Sequence, residues 1–170
     1  MKRGHSSPLE FADMTVEITT SRDVLAEITR HRLASFAVQS QRYVLDNKSG
    51  EISFIKPMFY LPISPPSVNA KQWCASRAWE RSMADIEKQY MYMAHDCGMK
   101  PEDARKVLPN STACRIVMKA NLREWLHIMD LRNSPAAYPE MRQMMNLLIQ
   151  KAQTVYPFIF DQVGEAHGKT

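Results

Sequence analysis

The sequence of 170 residues predicts an α+β fold in which helices dominate. Three observations carry this expectation. Residues 13–19 (Asp-Met-Thr-Val-Glu-Ile-Thr) alternate polar and apolar side chains, the period of a half-buried strand. Three later stretches space their apolar residues at steps of three and four, the period of a helix with one buried face. Prolines and glycines fall between these stretches and not inside them. With 45% apolar and 24% charged residues the composition is that of a globular chain, and it excludes disordered, collagenous and coiled-coil classes. At roughly 150 residues per domain, one domain is expected. It covers residues 1–163, with 164–170 as a polar tail.

After the strand, Ser21 or Arg22 opens a helix whose apolar face draws on Val24, Leu25, Ile28 and Leu33, with Asp23 at its positive end. Residues 36–45 have no clear period. Asn47-Lys48-Ser49-Gly50 signals a turn. Ile52–Tyr60 is rich in β-formers but interrupted by Pro57, which predicts an edge strand or extended segment. Pro62, Pro65 and Pro66 make a loop. A long helix is expected from Asn69 to Cys97, carrying Trp79, Met83, Ile86, Tyr90, Met93 and Cys97, with Gly98 in the terminating position. Pro101–Arg105 reads as a short helix with proline at its start. A second long helix is expected over 112–131, through Ile116, Val117, Ala120, Trp125, Ile128 and Met129. A third begins near Pro139 with Met141, Met144, Met145, Leu148, Ala152 and Val155, and Pro157 stops it. The Met and aromatic stripes are core, or line an interface between subunits.

No window of the sequence is apolar enough to span a membrane, and Lys2-Arg3 is not followed by an apolar run, so neither a membrane segment nor a secretory signal is expected. Cys74, Cys97 and Cys114 form no CxxC pair, which argues against a disulfide framework or a zinc site and for a reduced, cytoplasmic setting. The net charge of +4 is too low for a nucleic-acid groove. The basic residues are concentrated locally: after Glu27 come Arg30, His31, Arg32 and Arg42, with no acid until Asp46. By composition this is a solvated basic helix end, whose arginines the helix dipole favours, or a site for a small anion such as a phosphate.

The order of residues adds to this. Arg30-His31-Arg32, seven residues and then Ser40 resembles the defining motif of the flavin-dependent thymidylate synthases, and Ser40-Gln41-Arg42-Tyr43 continues the likeness. Gly4-His5-Ser6-Ser7-Pro8-Leu9-Glu10 resembles the family's Gly-His segment. Ala104-Arg105-Lys106-Val107-Leu108-Pro109 is similar to its Ala-Arg-x-x-Leu-Pro stretch, and Asn121-Leu122-Arg123-Glu124-Trp125, His127 and Leu131-Arg132 resemble its C-terminal helix.

The resemblance implies a helix-rich single domain packed on a small antiparallel sheet and assembled as a homotetramer with shared active sites. It also implies an enzyme: reductive C5 methylation of dUMP to dTMP, with methylenetetrahydrofolate giving the carbon, NADPH the electrons and FAD carrying the hydride. No nucleic-acid or membrane partner and no metal are implied. By resemblance Arg132 is the catalytic group, a guanidinium that stabilises negative charge on the pyrimidine and drives density toward C5, where other enzymes add a cysteine. His5, Ser7, Arg30, His31, Arg32, Asn121, Arg123 and His127 are implied as flavin contacts. Glu27, Arg30, Gln39, Ser40, Gln41, Arg42, Arg105 and Arg132 are implied as nucleotide contacts. Without the resemblance, Glu27 is an ion-pair partner of Arg30 or His31, Arg105 a solvated charge beside Glu102, and Ser7 a helix cap.

The sequence departs from the family pattern in two places. Roughly fifty residues that the family carries ahead of the Gly-His segment are absent, so either a natural short form or a lost start is expected. Ala37, Val38 and Gln39 stand where the family carries Asn-Glu or Ser-Gln-Glu, which implies a reshaped nucleotide pocket. Two alternatives follow: a relative that methylates UMP in modified-nucleoside synthesis, and a catalytically silent flavin- or nucleotide-binding homologue.

Overall fold

The computed structural model describes residues 6–41, 52–62, 70–161 and 163. A short 3-10 turn at Ser7–Phe11 leads into strand β1 (Asp13–Ser21), helix α1 (Arg22–Ile28) and strand β2 (Ala34–Val38). Helix α2 (Ala70–Met91) runs on through a π-helical turn at Tyr92–Asp96. Helix α3 (Pro101–Ala104) and a 3-10 turn (Arg105–Val107) precede strand β3 (Ala113–Asn121) and helix α4 (Leu122–Arg132). Helices α5 (Pro139–Val155) and α6 (Pro157–Phe160) follow. The fold is helix-rich with one small antiparallel sheet, ordered β1-β3-β2. Among the described residues no helix is long and apolar enough to cross a membrane.

Most expected elements are present, with three corrections. The expected helix over 112–131 is a strand followed by a helix. Cys114, Ile116, Met118 and Ala120 are buried and alternate with more exposed neighbours, a period of two that the apolar Val117 masks in the sequence. The period changes at Asn121, whose side chain accepts a hydrogen bond from the Glu124 backbone N–H at 2.8 Å and caps α4. Second, Leu33 belongs to no helix face: α1 ends at Ile28 and Leu33 is 76% exposed. Third, β2 lies in a stretch that shows no periodicity. Its burial alternates only between half-buried and exposed, no residue of it is fully buried, and Ala and Ser are weak strand formers. The expected turn at 47–50, Pro65, Pro66 and the tail at 164–170 lie outside the described residues.

The chain divides into two compact units and passes between them within β1, α1, β2 and β3. The first unit holds residues 1–18, 26–37 and 116–170. Its core is built from Met14 and Ile18 of β1, Ile116, Met118 and Ala120 of β3, Trp125, Ile128 and Met129 of α4, and Met141, Met145 and Ile149 of α5. Helix α4 packs on α5 and on the N-terminal 3-10 turn. Trp125 is fully buried, and its indole N–H donates to the Met14 carbonyl at 2.9 Å, so its polar atom is satisfied and α4 is fixed against β1.

The second unit holds residues 19–25 and 38–115. Segment 52–62 is extended up to Pro57, as that proline predicts, makes one antiparallel bridge, Phe54 to Thr112, and turns at 58–59. It lies along α2, where the buried Ser76 hydroxyl takes the Leu61 N–H at 3.0 Å and Tyr60 meets Trp79 edge-on. Ile52, Tyr90 and Ala104 form the centre of an apolar cluster. Gly98 ends the helical run with φ +63°, the left-handed conformation that favours glycine.

Candidate active site

The Arg30-His31-Arg32 motif sits on a tight turn between α1 and β2. The N–H groups of Arg30 and His31 donate to the carbonyls of Glu27 and Ile28, at 3.2 and 3.3 Å, so the chain keeps turning past the end of α1. This turn sends alternate side chains to opposite sides. His31 is buried, at 7% exposure, while Arg30 and Arg32 face solvent. Neither arginine has an ion-pair partner among the described residues.

Helix α4 supplies the groups around the buried imidazole. The guanidinium of Arg132 donates from Nε to His31 Nε2 at 2.9 Å, from Nη1 to the Glu27 carboxylate at 3.3 Å and from Nη2 to the Glu27 carbonyl at 3.0 Å. All three guanidinium nitrogens therefore have a partner, and the planar group is held in one orientation. On the other side of the imidazole, Glu124 Oε1 lies 3.8 Å from Nδ1. The His127 ring meets that of His31 edge-on, with centroids 6.3 Å apart.

Burial, then the Arg132 charge, then His127, lower the pKa of His31 from 6.5 to about 4. The ring is therefore neutral at pH 7. Because Nε2 accepts from Arg132, its single proton sits on Nδ1. His31, Glu124 and His127 bring ligand-type atoms within 4.8 Å of one another, a set that could hold a metal ion. The bond from Arg132 disfavours that use, since it leaves a proton in place of the Nδ1 lone pair.

The structure thus joins Glu27, His31, His127 and Arg132, four of the residues singled out in the sequence. Glu27 pairs with Arg132 and not with a neighbour on its own helix. Asn121 is the cap ahead of the first turn of α4, and its side-chain oxygen is committed to the Glu124 N–H. Arg123 points to another partner, the Glu10 carboxylate. Ser7 is exposed at the start of the 3-10 turn. Within the second unit, the Gln39 N–H donates to the Arg115 carbonyl at 2.9 Å, Ser40 is half-buried, and Gln41 Nε2 is buried with no partner among the described residues. Arg105 donates from Nε to the Glu102 carbonyl at 3.2 Å, so it contacts the backbone of that residue and not its carboxylate. His5 and Arg42 lie outside the described residues.

Glu124 and Glu10 were not foreseen. Glu124 carried a signal in the sequence, the Asn-x-x-Glu spacing of a capping box, in which the acid reaches back to the helix start. A separate cavity of about 360 Å³ lies in the first unit between β1 and α5, lined by Met14, Val16, Leu148, Ala152 and Tyr156 among others, and none of the motif residues borders it.

The profile of the family described as thymidylate synthase complementing protein matches residues 1–158. A flavin-dependent thymidylate synthase of Haloarcula marismortui is 32% identical over 185 aligned positions, covering 95% of this chain and 71% of that protein. One from Geobacter sulfurreducens is 33% identical, covering 96% of this chain and 66% of that protein. Among solved structures, the flavin-dependent thymidylate synthase of Helicobacter pylori, complexed with FAD and dUMP, superposes with a TM-score of 0.68 at 23% identity, covering 94% of this chain and 76% of that one. With the Arg-His-Arg turn, the capped α4 and a family match over nearly the whole sequence, the chain belongs to the flavin-dependent thymidylate synthases, an enzyme family.

Proposed function

We propose that this enzyme methylates C5 of a uracil nucleotide, dUMP to dTMP, with methylenetetrahydrofolate as carbon donor and NADPH as reductant. The observation that supports this most is the fixed guanidinium of Arg132, held by Glu27 and by the neutral imidazole of His31. A cation whose orientation is set before substrate arrives costs no reorganisation during reaction. Placed beside the pyrimidine carbonyls and N3, it stabilises negative charge on the ring and raises the electron density at C5. His31, being neutral, orients Arg132 without adding a second positive charge.

The residues also suit FAD. Arg30 and Arg32 present solvent-facing guanidinium groups without ion-pair partners among the described residues, donors suited to phosphates. On the nucleotide's side, Gln41 Nε2 is a buried donor without an acceptor among the described residues. Arg30, His31, Arg32 and His127 would hold the flavin, with His5, Ser7, Asn121 and Arg123 at its margins. Bound there, the flavin would supply the hydride chemistry. Glu27, Gln39, Ser40, Gln41, Arg42 and Arg105 would contact the nucleotide. Residues 1–163 would act as one catalytic domain, in a cytoplasmic homotetramer that shares its active sites.

A second reading replaces dUMP by UMP. Ala37 and Val38 of β2 are exposed small or apolar residues at positions where the family carries polar and acidic ones, so the pocket has fewer hydrogen-bonding groups to orient the sugar. The test is to load the purified protein with FAD, add NADPH, and measure dTMP formed from dUMP with methylenetetrahydrofolate. The flavin should bleach with NADPH and dTMP should form. Failure to retain any flavin, even at excess, would refute the assignment. A flavin that bleaches without methylene transfer would leave a silent flavin-binding homologue.

A further inference from the structure

We propose that Glu124 is a positioning residue for Arg132, acting through His31: its carboxylate faces Nδ1–H and so keeps the Nε2 lone pair turned to the guanidinium. The inference rests on the reading of Arg132 as the activating cation, and it adds a residue to which the motif assigned no role.

Three features support it. The first is the line of groups. Glu124 Oε1 lies 3.8 Å from Nδ1 of His31, and Nε2 of the same ring accepts from Arg132 Nε at 2.9 Å. The distance to Nδ1 exceeds that of a direct hydrogen bond, so the contact is electrostatic, between a carboxylate and the N–H dipole in a site that excludes most water. The second is the fixing of Glu124 itself. Its backbone N–H is held by the Asn121 cap at 2.8 Å, and its side chain is 12% exposed. The carboxylate is thus anchored in the first turn of α4, while Arg132 stands at the last residue of the same helix. The third is the tautomer. A neutral imidazole has one N–H. Were it on Nε2, it would point at the Nε–H of Arg132 and the bond between them would be lost. A carboxylate on the Nδ1 side lowers the energy of the productive tautomer and raises that of the other.

Arg132 is then oriented from two sides, by Glu27 on its Nη1 and Nη2 nitrogens and by the Glu124-backed imidazole on Nε. Without the carboxylate, the imidazole would populate both tautomers, and the guanidinium would lose its Nε anchor part of the time.

The experiment compares wild type with Glu124→Ala and Glu124→Gln, each carrying ¹⁵N-labelled histidine, at pH 7. Ring nitrogen shifts assigned to His31 report the tautomer without any turnover. Wild type should show a protonated Nδ1 and an accepting Nε2. Glu124→Ala should show a tautomer mixture, and Glu124→Gln, whose amide oxygen still accepts, should restore the wild-type pattern. With substrates, Glu124→Ala should lower kcat about tenfold, a typical loss for an outer partner of a working histidine, with KM little changed. A wild-type tautomer in Glu124→Ala would overturn the proposal, as would a mixture in wild type. If the tautomer responds as expected while wild type forms no dTMP, the positioning role stands and the proposed reaction fails.

Discussion

The Nε–H of Arg132 donates to Nε2 of His31 across 2.9 Å. By resemblance these two residues serve different ligands, the histidine the flavin and the arginine the pyrimidine. The bond makes them one unit, in which a change at either is felt by both.

Arg132→Ala should cut turnover sharply, while FAD should stay bound through its other proposed contacts. Loss of a preorganised charge donor of this kind costs about 100- to 1,000-fold in kcat. The same change removes a charge that depresses the His31 pKa, so that pKa should rise from about 4 toward 6.5. Arg132→Lys should rescue little, because one ammonium cannot satisfy His31 and both Glu27 oxygens in the geometry of a planar fork. Stopped turnover assays and flavin absorbance check the first part, and histidine titration by NMR the second. Undiminished dTMP formation by Arg132→Ala would place the activating cation elsewhere.

His31 also makes stability pH-dependent. Its folded pKa, about 4, is below the unfolded value of 6.5, so between these values the unfolded chain binds more protons. Its contribution is complete above pH 6.5 and is lost as pH falls toward 4. The two pKa values bound the loss at about 3 kcal/mol. Denaturant titrations from pH 7 to 4 should show ΔG of unfolding falling more in wild type than in His31→Gln. Parallel curves for the two proteins would contradict the assignment.

Glu27 touches Arg132 through both its carboxylate and its backbone carbonyl. Substitution removes only the first. The carboxylate is 40% exposed, so Glu27→Ala should cost folding stability only about 0–1 kcal/mol. The guanidinium would gain freedom, and its effect should appear in kinetics as a lower kcat that Glu27→Gln restores in part. Equal kcat in Glu27→Ala and wild type would show that the backbone carbonyl and His31 suffice.

Much of this arrangement was legible in the sequence, because it depends on local chemistry. Asp13–Thr19 alternates cleanly, Pro101 and Pro139 stand at the first position of the helices they begin, Pro157 follows the end of α5 as expected but also opens α6, which no sequence signal marked, and Gly98 has the backbone angle its place predicts. The motif residues were visible as types at fixed spacing. Less was visible where a tertiary contact decides. The run from Ala113 to Arg132 carries apolar residues that satisfy both a period of two and one of three to four, and only the pairing of β3 between β1 and β2 selects the strand. The five residues of β2 have no pattern of their own. The pairing of Glu27 with Arg132 joins residues far apart in sequence, so the local ion pair looked the simpler outcome. The contact of Glu124 with His31 likewise joins residues far apart in sequence, and only the fold brings them within 3.8 Å.

Among the described residues Trp125 is the largest side chain with no exposed surface, and its single polar atom is paired with the Met14 carbonyl. Trp125→Ala should cost about 3–5 kcal/mol through the cavity it leaves. Trp125→Phe keeps most of the apolar contact but strands the carbonyl, and an unsatisfied buried group costs about 1–3 kcal/mol. Equilibrium urea unfolding of both variants separates the two contributions. A Trp125→Phe protein as stable as wild type would mean that the carbonyl finds another donor.

Substrate choice gives the last prediction, and it turns on β2. UMP differs from dUMP by one hydroxyl on the sugar. A pocket with a close-fitting acidic or amide partner rejects the added group by sterics and by leaving a buried polar atom unpaired. On the proposed reading, Ala37 and Val38 would leave the sugar without such partners and add little bulk, so discrimination against the hydroxyl should be weak. Steady-state kcat/KM for UMP and dUMP measured side by side should agree within about tenfold, the scale of one modest contact. Val38→Glu, which returns an acid to this stretch, should shift the ratio toward dUMP. A strong dUMP preference in the unaltered enzyme would remove the UMP reading and show that the sugar is recognised by residues outside β2.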